Sequence, residues 1–95
     1  MKLYQAQIKN INYNKDFIII DCNKKQIKIY IIDGTVNINI FTNENKKVSY
    51  TYLDENDIIN IYYKKKEQDY IIPHKIIINT KYSLNSDSSD FETII

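Results

Sequence analysis

Few side chains in this chain are of a type that does covalent chemistry. There is one histidine, His74, one cysteine, Cys22, and one glycine, Gly34. A nucleophile needs a base within hydrogen-bond reach and a third group to orient that base, and no third group is evident for Cys22 and His74. A zinc site needs more histidine and cysteine than the chain contains. Asp54, Glu55 and Asp57 crowd into four positions. Carboxylates so spaced have the oxygen chemistry of a divalent-cation site, but the composition around them predicts a solvated turn. A single glycine cannot build a phosphate-cradling loop. The residues therefore predict no catalytic centre, no metal and no cofactor. Cys22 is expected to pack as a small apolar residue, and His74 to be structural.

Binding chemistry is better represented. Lys28 and Tyr30 fall on one parity of an alternating run, Asn37, Asn39 and Phe41 on one parity of the next, and Asn60 and Tyr62 on one parity of a third. Rings interleaved with lysines and amides suit single-stranded nucleic acid. Bases stack on the rings while ammonium groups neutralise phosphates. Lys64, Lys65 and Lys66 extend that surface, as do the loop lysines Lys24, Lys25, Lys46 and Lys47. The charge balance permits such a partner without demanding it. The net charge is +1, but residues 1–82 hold thirteen lysines against nine acids, or +4, and residues 83–95 hold three acids and no base. A protein partner, or a second copy of the chain, would cover the same rings equally well.

Strands must position these residues. Isoleucine supplies 21 of the 95 positions, and its branched Cβ suits a pleated surface. In residues 26–32 and 35–41 apolar and polar residues alternate with period two, which sends Ile27, Ile29 and Ile31, then Val36, Ile38 and Ile40, to the interior. Asp33-Gly34 between these runs predicts a tight hairpin, because glycine accepts positive φ. Five more strands are expected. Residues 3–13 change parity at Lys9-Asn10, as at a bulge. Residues 17–22 are almost wholly apolar. Residues 47–52 alternate, with Val48, Tyr50 and Tyr52 on one side. Residues 58–63 carry Ile59, Ile61 and Tyr63 on one side. Residues 70–78 are interrupted by Pro73, which suits an edge strand or a bulge. Residues 64–69 read as a charged hairpin loop, and residues 53–57 as a turn with at most one helical turn. The fold class is all-β, with one domain over residues 1–82 and an acidic flexible tail over residues 83–95.

The segment 53–62, the polar loop after it, and the aliphatic runs Ile71-Ile72 and Ile76-Ile77-Ile78 resemble the closing hairpin of an OB-fold, with an aspartate ahead of an apolar strand. Residues 8–41 resemble that family's opening three-stranded meander. Position 56, commonly glycine in the family, is Asn56, which tolerates positive φ. The resemblance implies a small antiparallel barrel whose middle strands and hairpin loops line a ligand groove. A small β-sandwich is the rival architecture. The acidic tail is similar to the C-terminal peptides with which some single-strand-binding proteins recruit partners.

Composition narrows the setting. One cysteine excludes an internal disulfide and suits a reducing compartment. No apolar run is long enough to span a bilayer, and no secretory leader is evident at the start. An intracellular protein is expected. Isoleucine, lysine, asparagine and tyrosine make up more than half of the chain. All four have A/T-rich codons, as in the genomes of obligate parasites, symbionts and large DNA viruses.

Overall fold

The computed structural model describes residues 1–82. Its strands are β1 (Lys2–Gln7), β2 (Asn10–Tyr13), β3 (Phe17–Asp21), β4 (Gln26–Ile32), β5 (Thr35–Val36), β6 (Asn39–Thr42), β7 (Lys47–Val48), β8 (Ile58–Glu67) and β9 (Tyr70–Thr80), with one 3-10 turn at Tyr50–Tyr52. They form a single sheet whose main path runs β1-β8-β9-β4-β3-β2. The all-β expectation holds, but the sheet is mixed rather than wholly antiparallel. β9 runs parallel to β4 through Tyr70 and Ile71, and parallel to β6 from Lys75 to Ile78.

The two ends of the path, β1 and β2, are consecutive in the chain. Only Ile8 and Lys9 separate them. The Ile8 amide donates to the Asp57 carbonyl beside β8 at 2.9 Å, and the Lys9 amide to the Asp21 carbonyl of β3 at 2.8 Å. The chain thus changes partner within two residues, close to the expected parity change.

The core follows from alternation. Eleven isoleucines, at positions 8, 18, 20, 27, 29, 40, 59, 61, 71, 76 and 78, keep at most 2% of their surface exposed. They form one cluster with Cys22, Leu53 and Tyr63. Burying such a side chain contributes about 1.5–3 kcal/mol, so this cluster is what holds the strands together. Ile27, Ile29 and Ile40 point inward as expected, while Ile31, Val36 and Ile38 pack at the margin. At the β4–β5 hairpin both Asp33 (φ 52°) and Gly34 (φ 74°) are left-handed, the pairing a two-residue type I′ turn requires.

Several expected boundaries move. Residues 35–41 are two short strands, not one, because the chain bends at Asn37 and Ile38. Residues 47–52 form two strand residues and then the 3-10 turn, capped where the Ser49 hydroxyl accepts from the Thr51 amide. Residues 64–67 are strand, and the hairpin loop shrinks to Gln68-Asp69, with Gln68 at φ 55°. Pro73 is buried and lies within β9, which is flanked on both sides, rather than on an edge. The register around it is irregular: Tyr62 pairs Lys75, Tyr63 pairs Pro73 and Lys65 pairs Ile72. His74 and Lys64 are the extra residues, so the proline sits at the bulge that was its other expected setting. There β9 also exchanges β4 for β6 as its parallel neighbour. The acidic tail lies outside the described residues.

Candidate functional site

Register places the expected binding residues in two patches rather than on one continuous face. The first lies on the outer side of β3, β4 and the start of β9. Phe17 is opposite Tyr30, Ile19 opposite Lys28, Asp21 opposite Gln26, and Gln26 in turn beside Tyr70. The Lys28 ammonium sits 4.7 Å from the centre of the Phe17 ring, 5.0 Å from Tyr30 and 5.3 Å from Tyr70. A cation over three ring faces is held by their quadrupoles. Glu67, across from Tyr70 on β8, completes the group. Its Oε1 lies 3.8 Å from the Lys28 ammonium and accepts the Tyr30 hydroxyl at 2.6 Å. That hydrogen bond to a carboxylate holds the Tyr30 hydroxyl above its ordinary pKa, because ionising it would set two anions together.

Asp21 is the second carboxylate on this patch, and it is fully engaged. The side-chain amides of Asn10 and Asn12 approach its Oδ2 at 3.4 and 3.5 Å, and Gln26 donates to its Oδ1. Of the three consecutive lysines, Lys65 shares the outer face with Glu67, two residues along the strand and opposite Ile72. Lys64 is the bulge residue, and Lys66 pairs the inward-facing Ile71. All three are exposed.

The second patch lies on the outer side of β8, the far half of β9, and β6. One row runs Leu3, Tyr62, Lys75, Asn39, and the next runs Gln5, Asn60, Ile77, Phe41. The Lys75 ammonium lies 4.9 Å above the Tyr62 ring. No carboxylate within ion-pair distance of Lys75 is present among the described residues. The Asn60 Oδ1 is buried and has no hydrogen-bond donor. Asn37 belongs to neither patch. It is exposed at the bend between β5 and β6, where its amide donates to the Tyr30 carbonyl at 3.2 Å.

The expected solvated turn holds at Asp54 and Glu55, which are exposed, and fails at Asp57. Asp57 is not solvated but fully buried. Its Oδ2 accepts from the Lys81 ammonium at 2.6 Å and from the Asp54 amide at 2.9 Å, and its Oδ1 accepts from the Tyr82 amide at 3.0 Å. Lys81 also reaches Asp54 Oδ2 at 2.9 Å and the Tyr52 carbonyl, and lies 4.6 Å from the Tyr52 ring centre. Burial alone would lower the Lys81 pKa, but the carboxylates of Asp57 and Asp54 outweigh it and hold the ammonium above its ordinary value. Asn56 makes the left-handed turn ahead of Asp57 at φ 72°.

Cys22 packs in the core, and burial pushes its thiol up to about 11, away from the reactive thiolate. His74 is exposed on its bulge. The described residues contain no cluster of three or more metal-ligating side chains, and no helix long and apolar enough to cross a membrane. Phe17, Tyr70 and Glu67 are the members of the first patch that sequence reading missed. Phe17 was within reach, since its parity is opposite to that of Ile18 and Ile20. Tyr70 and Glu67 join only through the parallel β4–β9 pairing. No protein-family model matches the chain, and comparison with curated proteins and with solved structures finds no match.

Proposed function

We propose that the chain is a small OB-like barrel that binds single-stranded nucleic acid on the outer face of β3 and β4, without catalysis, in a reducing compartment. The barrel reading is supported by the strand path, whose end strands are two halves of one bent segment joined at Ile8 and Lys9. It is also supported by the bulges of the β8–β9 hairpin, which give a sheet the coiling that closure needs. In such barrels the middle strands and adjoining hairpin loops are the oligonucleotide-binding elements.

One observation carries the binding reading: three rings, Phe17, Tyr30 and Tyr70, gather around one lysine on those middle strands. The rings offer stacking platforms. Lys28 already faces the Glu67 carboxylate, so phosphate contacts fall to the exposed Lys65 beside it and to the turn lysines Lys24 and Lys25. Few phosphate contacts mean modest affinity and a shallow salt dependence. Fluorescence anisotropy with labelled oligonucleotides at low salt tests this. The expected result is saturable binding that weakens with salt and weakens roughly tenfold in Tyr30→Ala. No binding at low salt overturns it.

A second reading has its own observation. The Asn60 Oδ1 lacks a donor within a half-buried apolar surface of Ile77, Phe41 and Tyr62, which is how a face covered by another protein looks when alone. Concentration-dependent mass in light scattering, abolished by Tyr62→Ala, supports that reading.

A further inference from the structure

Stacking on rings is tolerant of base identity, because every base has a π face. Selectivity enters where a fixed hydrogen-bonding group stands at the edge of the rings. Two carboxylates stand there, and they differ. Asp21 is filled by three side-chain amides. Glu67 is not. Both of its contacts fall on Oε1, which takes the Tyr30 hydroxyl and faces Lys28. Its Oε2 has no protein partner among the described residues, and the side chain keeps 44% of its surface exposed. The Tyr30 bond fixes the carboxylate beside the rings, and Lys28 removes the repulsion that a bare carboxylate would exert on a nucleic acid.

Resting on the nucleic-acid reading above, we propose that Glu67 makes this patch prefer guanine. An ionised carboxylate only accepts hydrogen bonds. Single-stranded bases expose their Watson–Crick edges to such groups. Guanine presents two adjacent N–H donors on that edge, from its ring imino and exocyclic amino groups. Adenine and cytosine each present one amino group beside an acceptor nitrogen. Thymine and uracil present one imino N–H between two carbonyls, whose oxygens repel the carboxylate. The order of preference is therefore guanine, then adenine and cytosine, then thymine. A well-made base contact discriminates by roughly five- to a hundredfold.

Anisotropy titrations of the full chain with a labelled ten-nucleotide thymine strand, and with the same strand carrying two central guanines, test this. The expected result is binding of both, with the guanine strand about tenfold tighter. In Glu67→Gln the ratio of the two affinities falls close to one, because a carboxamide offers one acceptor beside a donor. An unchanged unfolding midpoint in that variant shows that the loss is one of recognition. Equal affinities in the unaltered chain overturn the guanine preference and leave stacking intact. Absence of binding to both strands overturns the nucleic-acid reading and the preference with it. A ratio that survives Glu67→Gln shows that another group reads the base and removes Glu67 from the role.

Discussion

Two lysine–carboxylate pairs do different work in this molecule. Asp57 and Lys81 meet at 2.6 Å, with the carboxylate wholly buried and the lysine side chain only 10% exposed. Glu67 and Lys28 stand 3.8 Å apart, with the carboxylate 44% and the lysine side chain 18% exposed. The buried carboxylate accepts from three donors: the Lys81 ammonium, the Asp54 amide and the Tyr82 amide. It ties the end of β9 to the turn ahead of β8. The open pair retains an acceptor oxygen and sits among rings. Burial separates them. Removing one partner from a dry pair strands a charge, whereas an exposed pair exchanges protein for water at little cost. The first pair is a structural clasp, and the second keeps its carboxylate open to solvent.

The comparison breaks most visibly at Lys81. Lys81→Met leaves Asp57 buried without its cation and is expected to destabilise the fold by about 3–5 kcal/mol, read from urea unfolding. A loss below about 1 kcal/mol would mean that the clasp is no clasp. Alkali gives the next largest effect. Burial pushes the Cys22 thiol up to about 11 in the fold, from an ordinary value of 9.0. The unfolded chain therefore loses that proton first, and stability falls as pH rises from 9 to 11, by about 2 kcal/mol at most. Lys81, whose pKa is also raised, adds to this. Its contribution is complete below the ordinary lysine pKa and is lost as pH rises through the raised value. Denaturation midpoints across this range check the slope, and Cys22→Ala should flatten it.

The open pair should behave oppositely. Lys28→Met is expected to change stability by about 0–1 kcal/mol, within the range of ordinary surface substitutions, while still altering oligonucleotide titrations. A large loss of stability there would erase the distinction between the two pairs. Tyr62→Ala sharpens the site assignment with the smallest expected effect. It should leave oligonucleotide affinity within about twofold, since Tyr62 lies on the other patch.

Local chemistry made some of this legible in the sequence. The Asp33-Gly34 turn is set by backbone sterics at two residues. The inward isoleucines at 27, 29, 59 and 61 follow from period two alone. What escaped depends on partners far along the chain. Asp57 looks like any turn aspartate until Lys81, twenty-four residues later, returns to it. Lys64 to Glu67 look like a solvated loop because their charges mask a backbone paired to β9. The proposed face was divided by a feature no single strand reveals. β9 has two successive parallel neighbours, so residues of matching parity on β4 and β8 end up around different parts of the sheet.

That shared strand also bears on how the chain matures. β9 touches β8, β4 and β6, yet it is the final strand of the described residues. During synthesis β2, β3 and β4 can pair with one another as they emerge, but the edges of β4, β6 and β8 that meet β9 stay unpaired until residue 80 has cleared the ribosomal exit. Assembly led from the carboxyl end relies on distant pairings, the kind that form in milliseconds to seconds rather than microseconds. A nascent polypeptide halted before Tyr70 would lack the strand that joins β4, β6 and β8, and would leave their isoleucines exposed to aggregation.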